Sequence, residues 1–284
     1  MLWCGLIVGF GCVVGLVSGC ASPVFDLTLP QSAEFVVEHY DDRPWATVLR
    51  ENVKGQLVDY RHLAEHRQPL DAYLRTVSEI GPEIAASEFA RRESRVCYYI
   101  NVYNAGLLAA VLKARVPDSI HGLRFGPVDS RFGMRVDGRH RLLADLRRLA
   151  LAESDGDMRV VFALCDGAVG SPPLHDQPFR PEGLEETLRL LSQRAMDNRL
   201  MVSIDHERQA LKLSTVLASR REAFISYYKS RTAAHEATML NVVLHFAGRV
   251  RRQWLNTAVG YPVRIIPFDR SLNRWTPEGG HGGD

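Results

Sequence analysis

A surplus of charge of one sign is missing from this chain. Its 284 residues carry 35 Lys and Arg against 33 Asp and Glu, a formal net charge of +2. Nucleic-acid binders need a dense basic face to displace counterions from phosphate, so no nucleic-acid partner is expected. The pairs Arg91-Arg92, Arg147-Arg148 and Arg251-Arg252 are scattered among acids and read as solvated helix faces. Signature motifs are missing as well. His235-Glu236 is followed by Met239 where a zinc-protease helix needs its second His. Neither a Gly-rich phosphate loop nor a Gly-x-Ser-x-Gly elbow occurs. Ser154-Asp155-Gly156-Asp157 offers two carboxylates without the remaining oxygen ligands of a calcium loop, and reads as an exposed turn. No cofactor and no metal site is expected.

Charge is also missing from the start of the chain. The first charged side chain is Asp26 and the first Lys or Arg is Arg43. Leu2 to Val17 is long enough for the apolar core of an export signal, although no Lys or Arg precedes it. Val17-Ser18-Gly19-Cys20 has the form of a bacterial lipobox, a branched apolar residue and two small ones before a Cys. The small residues let the chain enter a signal peptidase cleft, and the Cys20 thiol takes the lipid. Each buried methylene of an acyl chain adds about 0.8 kcal/mol, so several chains on Cys20 anchor firmly where one is marginal. The expected organisation is a lipoprotein signal over 1–19 and a tether over 20–44 with Pro23 and Pro30. The domain then sits in the cell envelope, lipid-anchored to a membrane and facing the periplasm or exterior. An uncleaved anchor or a plain secretory signal are the alternatives, since about 20 apolar residues also span a bilayer.

Cysteine is scarce. Of five, Cys4 and Cys12 leave with the signal and Cys20 is lipidated, leaving Cys97 and Cys165. Two cysteines are not a disulfide framework. Both lie in apolar stretches and read as buried free thiols.

What remains has the composition of a globular protein, 46% hydrophobic and 24% charged. A helix starts around Trp45 to Arg50, followed by a turn into an extended piece over Lys54 to Tyr60. Leu70, Tyr73, Leu74, Val77 and Ile80 mark a helix that Gly81-Pro82 ends. Arg95 to Lys113 is apolar almost all round and belongs at the centre of the fold. Phe132 to Val136 and His140 to Leu143 form a hairpin around Asp137-Gly138. Arg159 to Cys165, a continuous apolar run, predicts a central strand. Glu182 to Asn198 is helical, and Val202 to Asp205 and Ala210 to Ser214 form a second hairpin. His235 to Leu255 reads as one long helix and Val263 to Asp269 as a closing strand. The class is α+β: a single, helix-rich domain over 45–273, with a small, mostly antiparallel sheet around a central buried helix. A Gly-rich tail over 274–284 reads as disordered.

Asn101 and Asn104 lie near one face of the central helix. A buried amide needs partners, so both are expected to bind neighbouring backbone or each other, with a ligand role as the alternative. The loop after the predicted strand collects Cys165, Asp166, Ser171 and His175, and loops at strand ends gather function because a rigid scaffold positions them.

Several of these stretches, in order, resemble the domain of unknown function 547 family. They are Val58-Asp59-Tyr60, Tyr98-Tyr99-Ile100-Asn101-Val102-Tyr103-Asn104-Ala105, Phe162-Ala163-Leu164, Gly170-Ser171-Pro172-Pro173-Leu174 and Ile266-Pro267-Phe268-Asp269-Arg270-Ser271-Leu272-Asn273. The resemblance implies a compact α+β domain common in exported bacterial proteins, without a general activity. It also implies a His before the Phe-Ala-Leu run, two Cys in the following loop and a Glu-His pair after the preceding hairpin. Here Val161, Asp166 and Ser171 stand at the first three positions, and Arg147 and Arg148 at the Glu-His pair. The family's thiol and imidazole groups are therefore absent.

Two functions compete on this reading. The first is a non-catalytic, envelope-anchored lipoprotein binding an unidentified protein or small molecule. Its pocket would lie around Asn101, Tyr103, Asn104, Arg147, Arg148, Asp166 and Ser171, with the two arginines as a cationic wall. The second is a hydrolase- or transferase-type enzyme using Ser171 or Cys165 with a distant His, within the loop from Cys165 to His175. Missing Glu-His and Cys groups favour the first, and no catalytic residue is assigned.

Overall fold

A computed structural model describes residues 25–27, 37–120 and 131–277 of the chain. The expected leader, Cys20, most of the tether and residues 278–284 lie outside the described residues.

Local sequence explains most of the helices. Helix α1 (Arg43–Asn52) opens with Pro44 and buries Trp45, Val48, Leu49 and Asn52 on one stripe. It runs into two short antiparallel strands, β2 (Val53–Lys54) and β3 (Leu57–Val58), then α2 (Tyr60–Glu65) and α3 (Gln68–Glu79). Helix α3 buries Leu70, Tyr73, Leu74 and Val77, the predicted stripe. The central helix, α4 (Arg92–Lys113), is buried at every position from Val96 to Val111. Gly106 lets it approach its neighbours: a Cβ there would meet Leu143 Cδ2 at 2.6 Å and Met134 Sδ at 3.1 Å.

Those neighbours come from the predicted hairpin. Strands β4 (Phe132–Val136) and β5 (Arg139–Leu142) pair antiparallel, and the short β1 (Phe25–Asp26) adds to β4 in parallel. The turn has Asp137 at φ 53° and Gly138 at φ 72°, the left-handed pair that matches strand twist. The Asp137 carboxylate accepts from Glu83 N–H at 2.6 Å and Ile84 N–H at 3.0 Å, pinning the turn against the end of α3. Helix α5 (Leu143–Glu153) follows β5 directly and packs along α4. Sequence reading took this stretch only for its arginines and missed the helix.

The predicted central strand is a 3-10 helix, Met158–Ala163. Asp157 caps it, accepting from Arg159 N–H at 2.9 Å, while the Arg159 guanidinium grips the same carboxylate and Glu185. Unbroken apolar runs carry no periodicity, so strand and buried helix look alike in sequence. This one is buried all round against α5, α6 (Leu184–Asp197) and α8 (Arg221–Thr232).

The C-terminal part carries the third small sheet. Strands β6 (Val202–Asp205) and β7 (Ala210–Ser214) form the predicted hairpin, and β8 (Val263–Ile266) joins β7 in parallel. Between them lie α7 (Thr215–Ala218), α8, α9 (Met239–Phe246) and α10 (Arg249–Leu255). The predicted long helix is thus two. Thr238 caps α9, and the chain turns extended at Ala247, ψ 143°. Arg252 then bonds the carbonyls of Leu244 at 2.9 Å and Ala247 at 3.1 Å that the break leaves open. Phe162, Phe224 and Phe246 meet with centroids 5.8–6.0 Å apart, joining this part to the 3-10 helix in one core.

The architecture is α+β, as expected, and among the described residues the strands are divided among three small sheets. Among the described residues no helix is long and apolar enough to cross a membrane.

Candidate functional site

The loop after the 3-10 helix is where three separate segments meet. Helix α4 reaches it with the two predicted amides. Asn104 Nδ2 donates to Ala163 O at 2.9 Å and its Oδ1 accepts from Cys165 N–H at 3.1 Å. One turn earlier, Asn101 does the same to Phe179, donating to its carbonyl at 2.8 Å and accepting from its N–H at 2.9 Å. Trp45 Nε1 adds a third bond to Asn101 at 3.3 Å. The amides thus take the place of a neighbouring strand, which is how Ala163 to Cys165 is satisfied outside any sheet. Both lie 1% exposed, with their amides spent on protein groups.

Helix α5 supplies Arg147. Its guanidinium bonds the Asp166 carboxylate and the Tyr103 hydroxyl, and lies 4.8 Å above the Tyr103 ring. Tyr103 in turn donates to Asp166 Oδ1 at 3.1 Å. Arg148 points elsewhere. Its side chain is exposed and bonds Asp145 at 3.3 Å on its own helix. The expected cationic wall is therefore not formed, because successive helical residues face different directions and Asp166 neutralises the inward one.

The C-terminal segment closes the loop from the third side. Backbone bonds tie Gly170 N–H to Asp269 O at 2.9 Å, Val169 N–H to Ser271 O at 2.9 Å and Asn273 N–H to Gly167 O at 3.0 Å. Gly170 is required here, since a Cβ would lie 2.7 Å from Asp269 N. Asn273 also accepts from the Tyr60 hydroxyl at 2.7 Å and lies 3.8 Å from Cys165 Sγ. Val58 N–H bonds Asn273 O and Trp275 N–H bonds Val58 O, both at 2.8 Å, so the packed chain continues past Asn273.

Inside this ring the reactive groups are committed to structure. Cys165 is 1% exposed, its sulfur accepts from Gly167 N–H at 3.2 Å, and burial pushes its thiol up to about 11. Ser171 Oγ donates to Ala168 O at 2.7 Å and accepts from Asp166 N–H at 3.3 Å. Cys97 is likewise buried and free, pushed by burial up to about 12. Among the described residues no imidazole hydrogen-bonds Ser171 or Cys165. His175 binds the backbone of Gln177 instead, at 2.9 Å and 3.1 Å. No group of three or more His, Cys, Asp or Glu among them is placed to hold a metal ion.

Tyr103, Arg147, Asp166 and Ser171 thus meet at one spot, while Asn101, Asn104 and Arg148 do not open onto it. Sequence reasoning missed Tyr60 and Asn273. Both stood in stretches singled out for their resemblance, which was the available signal. On the outer side of Pro172-Pro173 lies a cavity of about 480 Å³, floored by Phe162, Leu174, Leu191 and Met201.

Fold and site define an α+β domain whose polar side chains form a largely buried clasp around one loop. Residues 87–194, from the approach to α4 to the last turn of α6, match the DUF547 family model, described as "Protein of unknown function". No curated protein and no solved structure matches the chain.

Proposed function

We propose that the chain is an envelope-anchored lipoprotein whose domain binds a small molecule or protein and carries no catalysis at the clasped loop. The observation that carries this reading is the state of the loop's three reactive side chains. The Cys165 thiol is buried and protonated, the Ser171 hydroxyl holds backbone, and the Asp166 carboxylate is paired with Arg147. A nucleophile needs a base in hydrogen-bond reach, and no described imidazole fills that role. The pairing also accounts for the residues at the family's Glu-His and Cys positions. Arg147 and Asp166 complement each other as charges, which supports a structural rather than a catalytic role for this loop.

Anchoring rests on Val17-Ser18-Gly19-Cys20. With Cys20 lipidated the domain faces the periplasm or exterior, held to its membrane by acyl chains. Mass spectrometry of the mature protein from its native membranes tests this. An N-terminus at Cys20 carrying the added mass of acyl chains is expected, and Cys20→Ala abolishes it. An intact Met1, or a start at another residue, overturns the anchor.

A further inference from the structure

We propose that His62 and His66 form a two-imidazole surface site for a divalent transition-metal ion, with Cu(II) held more tightly than Ni(II) or Zn(II). The site lies outside the clasped loop and does not depend on the anchor.

Helix α2 sets the spacing. Asp59 caps it, accepting from His62 N–H at 2.9 Å. Residues four apart share a helix face, and His66 stands just past the last turn with its N–H on His62 O at 2.9 Å. The two rings stack, centroids 4.3 Å apart and planes at 23°. That is near the separation of two imidazoles sharing one ion, where bonds of about 2.0–2.1 Å set the ligand nitrogens roughly 3.3 Å apart.

The partners of the rings decide which nitrogens are free. Asn52 Nδ2 donates to Val48 O at 2.8 Å, which turns its Oδ1 towards His62 Nδ1 at 2.9 Å. His66 Nδ1 lies 3.2 Å from His62 O. Both oxygens can only accept, so both Nδ1 atoms carry the proton. In the neutral ring the lone pair then sits on Nε2, and neither Nε2 has a hydrogen-bond partner among the described residues. A carbonyl on the far nitrogen is the outer-shell arrangement that fixes the tautomer and raises the basicity of a metal-binding His. Asn52 is 2% exposed, which makes the support of His62 rigid. His66 is exposed and leaves the remaining positions of the ion to water. Imidazole suits copper, nickel and zinc rather than Mg(II) or Ca(II), and Cu(II) heads the affinity order. With two protein ligands the ion is exchangeable.

Calorimetric titration of Ni(II), Zn(II) and Mg(II) tests the site. It is run in detergent on the full chain carrying Cys4→Ser, Cys12→Ser and Cys20→Ser, which removes competing thiols outside the described residues. Ni(II) and Zn(II) are expected to bind one to one and Mg(II) not at all. His62→Gln and His66→Gln should each weaken Ni(II) by more than about a hundredfold, because losing a ligand exceeds the roughly 10- to 100-fold cost of losing an outer-shell partner. For the exposed His66→Gln the metal-free melting temperature should stay at the parental value, so a folding defect does not mimic the loss. Electron paramagnetic resonance of the Cu(II) form should show two equatorial imidazole nitrogens in the parent and one in His66→Gln. An absence of Ni(II) binding in the parent would overturn the site. So would Ni(II) binding that survives both single variants, or Mg(II) binding of equal strength.

Discussion

Asn104 and Cys165 are joined by a hydrogen bond from the Cys165 N–H to the Asn104 Oδ1 at 3.1 Å, two residues beyond the Ala163 carbonyl that the same amide holds at 2.9 Å. A single side chain of the central helix thereby fixes the loop on which the clasp is built.

Replacing it has a calculable cost. Asn104→Ala strands a buried N–H and a buried carbonyl, at roughly 1–3 kcal/mol each, so a loss of about 2–6 kcal/mol is expected. Urea unfolding followed by circular dichroism measures it. An unchanged midpoint would free Asn104 for a ligand role.

Arg147 and Asp166 should be coupled. Their side chains are 15% and 26% exposed, so solvent screens the pair only in part. A double-mutant cycle with Arg147→Ala and Asp166→Ala is expected to give about 1–2 kcal/mol of coupling to stability. Additive single effects would show that the pair is incidental.

Much of this was legible in the sequence. The stripes of α1 and α3, the all-round apolarity of α4 and the turn residues Asp137-Gly138 each carry their own physical signature. Arg159 to Cys165 does not, because an apolar run buried on every side has lost the period that tells strand from helix. Its conformation is set by Asp157 at one end and Asn104 at the other, contacts that no local pattern announces. The break between α9 and α10 was legible in principle at Gly248, a residue that weakens a helix interior. For the site, Asp166 and Ser171 were visible as loop residues and Tyr103 and Arg147 as candidates. Tyr60 and Asn273 meet across 213 positions, and spacing carries no trace of such a contact.

The buried thiols set an alkaline limit on stability. Burial raises Cys165 to about 11 and Cys97 to about 12, while unfolded thiols ionise near about 8.5. Above that pH the unfolded state gives up protons that the folded state keeps. Stability is therefore full below about pH 8.5 and falls as pH rises towards the folded values. Buried Tyr60, Tyr73 and Tyr98, raised by the same cause, act in the same direction at higher pH. Melting temperatures from pH 7 to about 10.5 should decline, and less steeply in a Cys97→Ala, Cys165→Ala double variant. Parallel profiles for the two proteins would refute the assignment to the thiols.

Gly81 should not tolerate a side chain. A Cβ there would lie 2.5 Å from the Tyr98 hydroxyl and 2.6 Å from Asp137 Cγ, both held by backbone bonds of their own. Gly81→Ala is expected to cost about 1–3 kcal/mol through this overpacking. A neutral or stabilising effect in thermal unfolding would place the turn differently.

The central claim is that the loop from Cys165 to His175 does no nucleophilic chemistry. Covalent probes test it most directly: iodoacetamide for thiols and a fluorophosphonate for activated serines, applied near neutral pH with the modified residues read by mass spectrometry. In the native protein Cys165 and Ser171 should both stay unmodified, with Cys165 alkylated only after denaturation. Rapid, stoichiometric modification of either residue in the folded chain would contradict the account and restore the enzyme.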